Sequence, residues 1–308
     1  MAEGKTYRIK TITEFHRLRG LPQPEHPLIS VIDYAAIKHS TDNNPINWFF
    51  DFYSISVKRG ANTRLKYGQQ LCDFDEGVMF FMAPSQVLRV EVPHDDNATT
   101  RNEGWILLVH PDFLWNTPLA KKIKKYEYFD YAVHEGLFLS DKEEATIKTI
   151  VQNIRQEYQA NIDKFSQELI IAQLELLLTY SERFYQRQFL TRKVASHTIL
   201  TRLEEMLDAY FNDAALASKG LPSVQLIAAE LNVSPGYLSG LLKTLTGQST
   251  QQHIHDKLIE KAKEKLSTTD LSVSEIAYEL GFEHPQSFSK LFKAKTNTSP
   301  LDFRQSFN

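Results

Sequence analysis

One cysteine in 308 residues, Cys72, leaves this chain no means of closing an intrachain disulfide and fits a reducing compartment. No run of about 18 apolar residues occurs, so no segment reads as a membrane-spanning helix. The opening MAEGKTYRIKTITEFHRL lacks the apolar stretch of a signal peptide. A strong charge of one sign is also missing. Lysine and arginine number 35 against 38 acids, a formal net charge of −3, so a nucleic-acid partner has to be read from local pattern. The GxSxG, P-loop and Rossmann glycine patterns are absent, which removes the signatures of three large enzyme classes. His26, His39, His94 and His110 are scattered. The HIH at 253–255 sits in a helical context, where residues i and i+2 diverge by about 200°. The expectation is a soluble cytoplasmic protein with no catalytic residues, no metal, no cofactor and no membrane partner.

What is present changes character once along the chain. Residues 28–110 hold short segments rich in β-branched and aromatic residues: LISVIDYAAI, WFFDFYSISVKR, VMFFMA, VLRVEV and GWILLVH. Breakers such as DNNP, RGANT and PHDDN separate them, the spacing of a sheet sandwich or small barrel. From Pro111 onward the chain turns helical. Ser140 and Glu143 form a capping box before one helix, and 163–189 reads as a long second one. A basic, polar patch at 191–197 precedes a further helix, and 212–223 reads as a loop. The division falls at 190, giving an α+β chain of two domains, 1–190 and 191–308.

Within the second domain one sentence is written twice. SVQLIAAEL at 223–231 and SVSEIAYEL at 272–280 share six of nine positions in register. Each copy places Val, Ile, Ala and Leu at helical spacing behind a serine N-cap, Ser223 or Ser272, the latter boxed with Glu275. Asn232 and Gly281 are suited to the left-handed residue that ends a helix. A second helix then begins with Pro235 or Pro285 in its first turn. Leu238, Leu241 and Leu242 match Phe288, Leu291 and Phe292 as its buried face. This is helix-turn-helix grammar, at about 223–247 and again at 272–297. Between the units, 250–267 reads as one helix about 27 Å long. Successive major grooves on one side of B-DNA lie about 34 Å apart, so such a helix is suited to space two reading heads.

The segment SVSEIAYELGFEHPQSFSKLFKAKTNTSPLDFRQS resembles the C-terminal signature of AraC/XylS-family transcription regulators. The matching residues are Gly281, Phe282, Phe288, Phe292, Lys293, Ser299, Pro300, Phe303 and Arg304. Asn297 stands where the family usually has Gly. The resemblance covers roughly 196–308 and implies a sequence-specific regulator of double-stranded DNA. It also implies an N-terminal cupin-like β-barrel with helices, which senses an effector or makes the dimer. The C-terminal part would then be all-α, two helix-turn-helix units joined by a helix.

By that resemblance the groove-facing residues are Ser234, Tyr237, Ser239 and Lys243 in the first unit. In the second they are His284, Gln286, Ser287, Ser289, Lys290 and Lys293. Gln suits adenine, and Lys suits guanine or phosphate. Gly236 and Gly240 supply no reader. Bulk charge does not decide, with ten basic residues against nine acids over 217–308. Trp48, Phe50 and Phe52 are candidates to line an effector pocket or simply to fill the core. On 163–189, Leu169, Ala172 and Leu176 lie on an apolar stripe with Phe165, while Ile170, Leu174, Leu177 and Leu178 form a second. One stripe suits a homodimer interface, or both are buried within one chain. A small-molecule effector and RNA polymerase complete the expected partners. The competing reading is a metal-free ligand-binding cupin protein whose helical tail mediates protein interaction.

Overall fold

The computed structural model describes residues 5–37, 46–59, 66–67, 70–71, 77–90, 103–132, 135–160, 163–191, 193–213 and 215–306. Cys72, His39 and His94 lie outside them. The chain divides into two compact units, 1–188 and 189–308.

The first unit begins with β1 (Lys5–Ile9) and α1 (Ile12–Leu18). Both precede the strand-rich stretch read from sequence. The N-terminus of α1 follows a Thr-x-x-Glu pattern: the Thr11 hydroxyl accepts from the Glu14 N–H at 3.1 Å, and the Glu14 carboxylate accepts from the Lys10 N–H at 2.9 Å. Then come β2 (Ile29–Asp33), a 3-10 turn at Tyr34–Ala36, β3 (Ile46–Phe50), β4 (Tyr53–Arg59), β5 (Lys66–Tyr67), β6 (Gln70–Leu71), β7 (Val78–Met82), β8 (Val87–Val90) and β9 (Glu103–Val109). Short 3-10 turns, α2 (Leu119–Lys122) and β10 (Leu137–Phe138) lead to α3 (Asp141–Gln159) and α4 (Ser166–Thr191).

WFFDFYSISVKR, one apolar run in the sequence, becomes two strands in two different sheets. β3 pairs with β1 and β8, whereas β4 is the middle strand of the order β10-β7-β4-β9-β2. The break at Asp51 is fixed by its N–H donating to Ile9 O at 3.0 Å and by the Arg8–Asp51 ion pair. A core cluster of Ile9, Ile12, Phe15, Ile32, Trp48, Phe50, Phe52, Ile106 and Leu108 lies between the two sheets. Among the described residues no ladder joins those sheets. Among the described residues the two sheets form a mixed sandwich, and the closed barrel of the expected cupin-like fold is not seen. Among the described residues strand pairing stops at β2 and β10 on one sheet and at β1 and β8 on the other. Helices cover the opposite face of the five-stranded sheet: Tyr158 OH of α3 accepts from the Val31 N–H at 2.9 Å, and Ser181 Oγ of α4 lies 3.9 Å from Met79 Sδ.

The Ser140–Glu143 capping box opens α3. α4 buries Ile170, Leu174, Leu177 and Leu178. Its other apolar stripe stays exposed, with Phe165 at 52%, Leu169 at 51% and Leu176 at 44% of their full accessible surface. Among the described residues no helix is long and apolar enough to cross a membrane.

The second unit is helical: α5 (Lys193–Phe211), α6 (Leu216–Lys219), α7 (Val224–Glu230), α8 (Pro235–Thr246), α9 (Thr250–Thr268), α10 (Val273–Glu279), α11 (Pro285–Thr296) and α12 (Pro300–Gln305). α6 is a single helical turn inside the stretch read as a loop. At the centre, α9 buries Ile254, Leu258, Ile259, Ala262 and Leu266 and packs against α5, α8, α10, α11 and α12. The helix read as a spacer is thus also the common core of the unit.

Candidate nucleic-acid interface

Each helix pair is built by the same local devices. Ser223 Oγ accepts from the Leu226 N–H at 3.1 Å to start α7, and Ser272 with Glu275 forms the capping box of α10. Asn232, at φ 58°, and Gly281, at φ 84°, take the left-handed turn after those helices. α8 and α11 then open with Pro235 and Pro285, whose missing N–H costs nothing in a first turn. Leu238, Leu241 and Leu242 are fully buried on α8, as are Phe288 and Phe292 on α11; Leu291 is only half-buried. Ala228 and Ala277, both 0% exposed, are the small residues at the crossing of each pair.

This packing decides what each second helix leaves free. On α11, His284, Gln286, Ser287, Lys290 and Lys293 are exposed and Ser289 is half-buried. Among the described residues, Gln286, Lys290 and Lys293 have no side-chain hydrogen bond or ion pair. Lys295, one turn on, differs. Its Nζ is 2.8 Å from Asp256 Oδ1 of α9, whose Oδ2 accepts from Gln248 Nε2 at 2.8 Å. That link between the ends of α8 and α11 has no sequence signal, because its three members come from separate elements.

The first pair offers less. Ser234 is the N-cap of α8, its Oγ accepting from the Tyr237 N–H at 3.2 Å. Tyr237 is half-buried, its ring edge-on to Phe189 at 5.1 Å. Ser239 is half-buried and Lys243 exposed. Gly236 and Gly240 carry no side chain, so α8 presents a shallower polar surface than α11.

Charge follows the same division. On α9, Lys257 pairs with Glu260, Lys261 with Glu264, and Lys265 with Glu279 of α10. These cations are neutralised on the protein, whereas Lys290 and Lys293 are not. The two HIH imidazoles also part: His253 Nε2 is 2.9 Å from Thr246 Oγ1, and His255 Nε2 is 2.8 Å from Gln251 Nε2. Burial holds both below the ordinary histidine pKa.

Residues 227–306 match the family model described as a helix-turn-helix domain. The C-terminal unit thus carries an AraC-type helix-turn-helix domain. Over 99 residues it is 33% identical to an uncharacterized HTH-type transcriptional regulator in the cgkA 5′ region of Pseudoalteromonas carrageenovora, covering 32% of this chain and 54% of that one. Over 81 residues it is 37% identical to the HTH-type transcriptional activator RhaS of Salmonella arizonae, covering 26% and 29%. The C-terminal domain of the two-component response regulator yesN from Fusobacterium nucleatum is 32% identical, with a TM-score of 0.30, covering 36% of this chain and 97% of that one. The chain spans about half the length, or less, of the curated relatives it matches.

Several AraC/XylS signature residues prove to be structural. Ser299 Oγ accepts from the Asp302 N–H at 3.1 Å, capping α12, and Pro300 is its buried first residue. The Phe303 ring meets Phe292 at 5.5 Å, and Arg304 Nε donates to Leu266 O at 3.2 Å. In the first unit, Trp48, Phe50 and Phe52 are all buried in the cluster between the sheets, at 6%, 4% and 0% exposure. Leu169 and Leu176 sit with Ala172 on the exposed stripe of α4.

Proposed function

We propose that this chain is a sequence-specific, DNA-binding transcriptional regulator that places α8 and α11 in successive major grooves. The observation that carries the reading is the tandem of helix-turn-helix units, in which Gln286, Lys290 and Lys293 are exposed on α11 without side-chain partners among the described residues. α9, about 28 Å long at 1.5 Å per residue, suits the separation of two grooves when its end turns are added. In this reading α11 supplies base readout through Gln286 and Lys290, with Lys293 on phosphate. α8 contributes mainly backbone contacts through Ser239 and Lys243. The sandwich acts as a cupin-like sensor, α4 joins two copies through its exposed stripe, and the protein works in the cytoplasm without catalytic activity.

The test is a binding titration of the full chain on DNA fragments selected by the protein itself and on scrambled DNA, at two salt concentrations. Specific binding should exceed non-specific by about 10³ or more and weaken steeply with salt. Gln286→Ala or Lys290→Ala should cost about 1–3 kcal/mol on the selected site and relax its sequence preference. Equal losses on both DNAs would reassign the two residues to the phosphate backbone. Absence of any sequence preference would favour a ligand-binding protein with a helical interaction tail.

A further inference from the structure

Residues 117–126 of the first unit contain four lysines and no acid. They form α2 and, directly after it, a 3-10 turn at Ile123–Lys125. Leu119 and Ile123, at 0% and 4% exposure, fasten the segment to the core, and Tyr126 is buried after them. At about 100° per residue, Lys121, Lys122, Lys124 and Lys125 then fall on the side away from Leu119 and Ile123. All four are exposed. Among the described residues none of them has a side-chain hydrogen bond, ion pair or ring contact. Lysines elsewhere are treated differently. Lys257, Lys261 and Lys265 of α9 are paired with acids, as are Lys219 with Asp213 and Lys295 with Asp256.

The spacing makes this quartet self-repelling. Lys121 stands three and four residues from Lys124 and Lys125, and Lys122 three from Lys125, where like charges on a helical turn lower stability. The free protein gains nothing from that arrangement, and a row of anions would relieve it. Chemistry narrows the partner. Lysine is depleted from protein–protein interfaces, which favour arginine and aromatic anchors. A bilayer surface would need an apolar face to insert, and this segment has turned its own, Leu119 and Ile123, inward. Trp115, 72% exposed, is the one large apolar side chain exposed between 111 and 130. What the segment offers is point charges, which suit a row of phosphates, and each phosphate so neutralised releases counterions.

We propose that the lysine face of α2 and the turn after it is a second DNA contact, made by the N-terminal unit. It holds the phosphate backbone of duplex outside the stretch read by the two helix-turn-helix units. The contact carries no sequence information; it adds affinity and salt sensitivity. The inference rests on the regulator reading for the presence of DNA, and goes beyond it in giving the sheet unit a DNA contact of its own.

The test uses the full chain and two duplexes with the same centre, taken from DNA that the protein itself selects. One has about 22 base pairs, two turns, and the other about 60. The fourfold variant Lys121→Gln/Lys122→Gln/Lys124→Gln/Lys125→Gln should bind the longer duplex about tenfold or more weakly than the wild type at low salt. Its slope of log affinity against log salt should be shallower by about 2–4 on that duplex. On the shorter duplex the two proteins should agree within about twofold. The corresponding fourfold Lys→Arg protein should bind both duplexes like the wild type, because charge is what the contact uses. Equal affinities of the wild type and the glutamine protein for the longer duplex would overturn the proposal. So would an equal loss on the two lengths. Without DNA, the glutamine protein should melt at the wild-type temperature or above, since repelling charges are removed; a lower melting point would assign the lysines to the fold and overturn the proposal. Phosphatidylcholine vesicles with about one-third phosphatidylglycerol should not retain the protein. Retention that the glutamine protein loses would give this surface to a membrane instead. A wild type with no sequence preference would sink the regulator reading and this contact with it, whereas a preference kept by both proteins with equal affinities removes the second contact alone.

Discussion

Gly281 turns the chain between α10 and α11 at φ 84° with its α-carbon against Gly220, and a Cβ built on it would stand 3.0 Å from both the Cα and the carbonyl carbon of Gly220. Two glycines 61 residues apart thus approach backbone to backbone, while Tyr210 OH donates to Gly220 O at 3.0 Å. Gly281→Ala should destabilise the C-terminal unit by about 1–3 kcal/mol, combining left-handed strain with the close approach. Asn232→Gly, at the corresponding turn of the first pair, should change stability by less than about 1 kcal/mol. Urea midpoints of the two variants decide it. Similar midpoints would show that the contact with Gly220 costs an added methyl nothing.

The Gly281 turn illustrates what the sequence made legible. Ser223, Ser272 with Glu275, Asn232, Pro235 and Pro285 act through hydrogen bonds and dihedrals within a few residues of themselves. Their spacing therefore specifies both helix pairs and the helix capped by Ser140. The approach of Gly220 to Gly281 depends on how α6 meets α10, so 212–223 reads as an unstructured connection. The same limit applies at Asp51, where one apolar run splits between two sheets because Ile9, over forty residues earlier, captures the Asp51 N–H. Thr11 and Glu14, by contrast, act within three residues of each other, so the start of α1 is a local signal of the same kind as Ser140 with Glu143. At the candidate interface, residue types on α11 were legible. Two facts were not: Tyr237 packs on Phe189, and Lys295 is tied to Asp256.

The two faces of α4 should respond oppositely to charge. Leu169 and Leu176 are exposed in one chain, so Leu169→Glu or Leu176→Glu should leave the fold intact and convert a dimer to a monomer. Leu174 is 2% exposed. Leu174→Ala should instead cost about 2–5 kcal/mol of stability with no selective effect on assembly. Sedimentation and circular dichroism on the three variants separate these effects. A wild-type chain that sediments as a monomer at micromolar concentration would remove the exposed stripe from assembly.

Stability of the C-terminal unit should fall in mild acid. Burial holds His253 and His255 below the ordinary value of 6.5, with Asp256 and Glu204 facing the first, and Lys295 and Asp256 the second. The unfolded chain then takes up protons near pH 6.5 that the folded chain accepts only at lower pH. Their contribution is fully present above about 6.5 and drains as pH falls through the lower folded values. The urea midpoint should therefore drop between pH 7.5 and 5.5. His253→Gln/His255→Gln should shrink that drop. An equal drop in the double variant would assign the acid sensitivity elsewhere.

Breaking α9 distinguishes a spacer from a shared core. A spacer, the role read from sequence, would let each helix pair survive its rupture, and the footprint on DNA would shrink from about two turns to about one. In the folded unit, however, Ile254, Leu258, Ile259, Ala262 and Leu266 of α9 are buried, and α8 and α11 both pack on this helix. Glu260 is exposed and, among the described residues, pairs only with Lys257 at 3.0 Å, so Glu260→Ala should change stability by about 0.5 kcal/mol or less. Glu260→Pro removes a backbone donor and clashes with the preceding turn, at about 3 kcal/mol or more. That cost falls on a core both pairs share. The proline variant should therefore lose helix content and DNA affinity together, with no half-length footprint at any protein concentration. Circular dichroism and footprinting on the same samples give the answer. A half-length footprint with helix content preserved would restore α9 to a plain spacer, and would mean that each pair folds on its own buried leucines or phenylalanines.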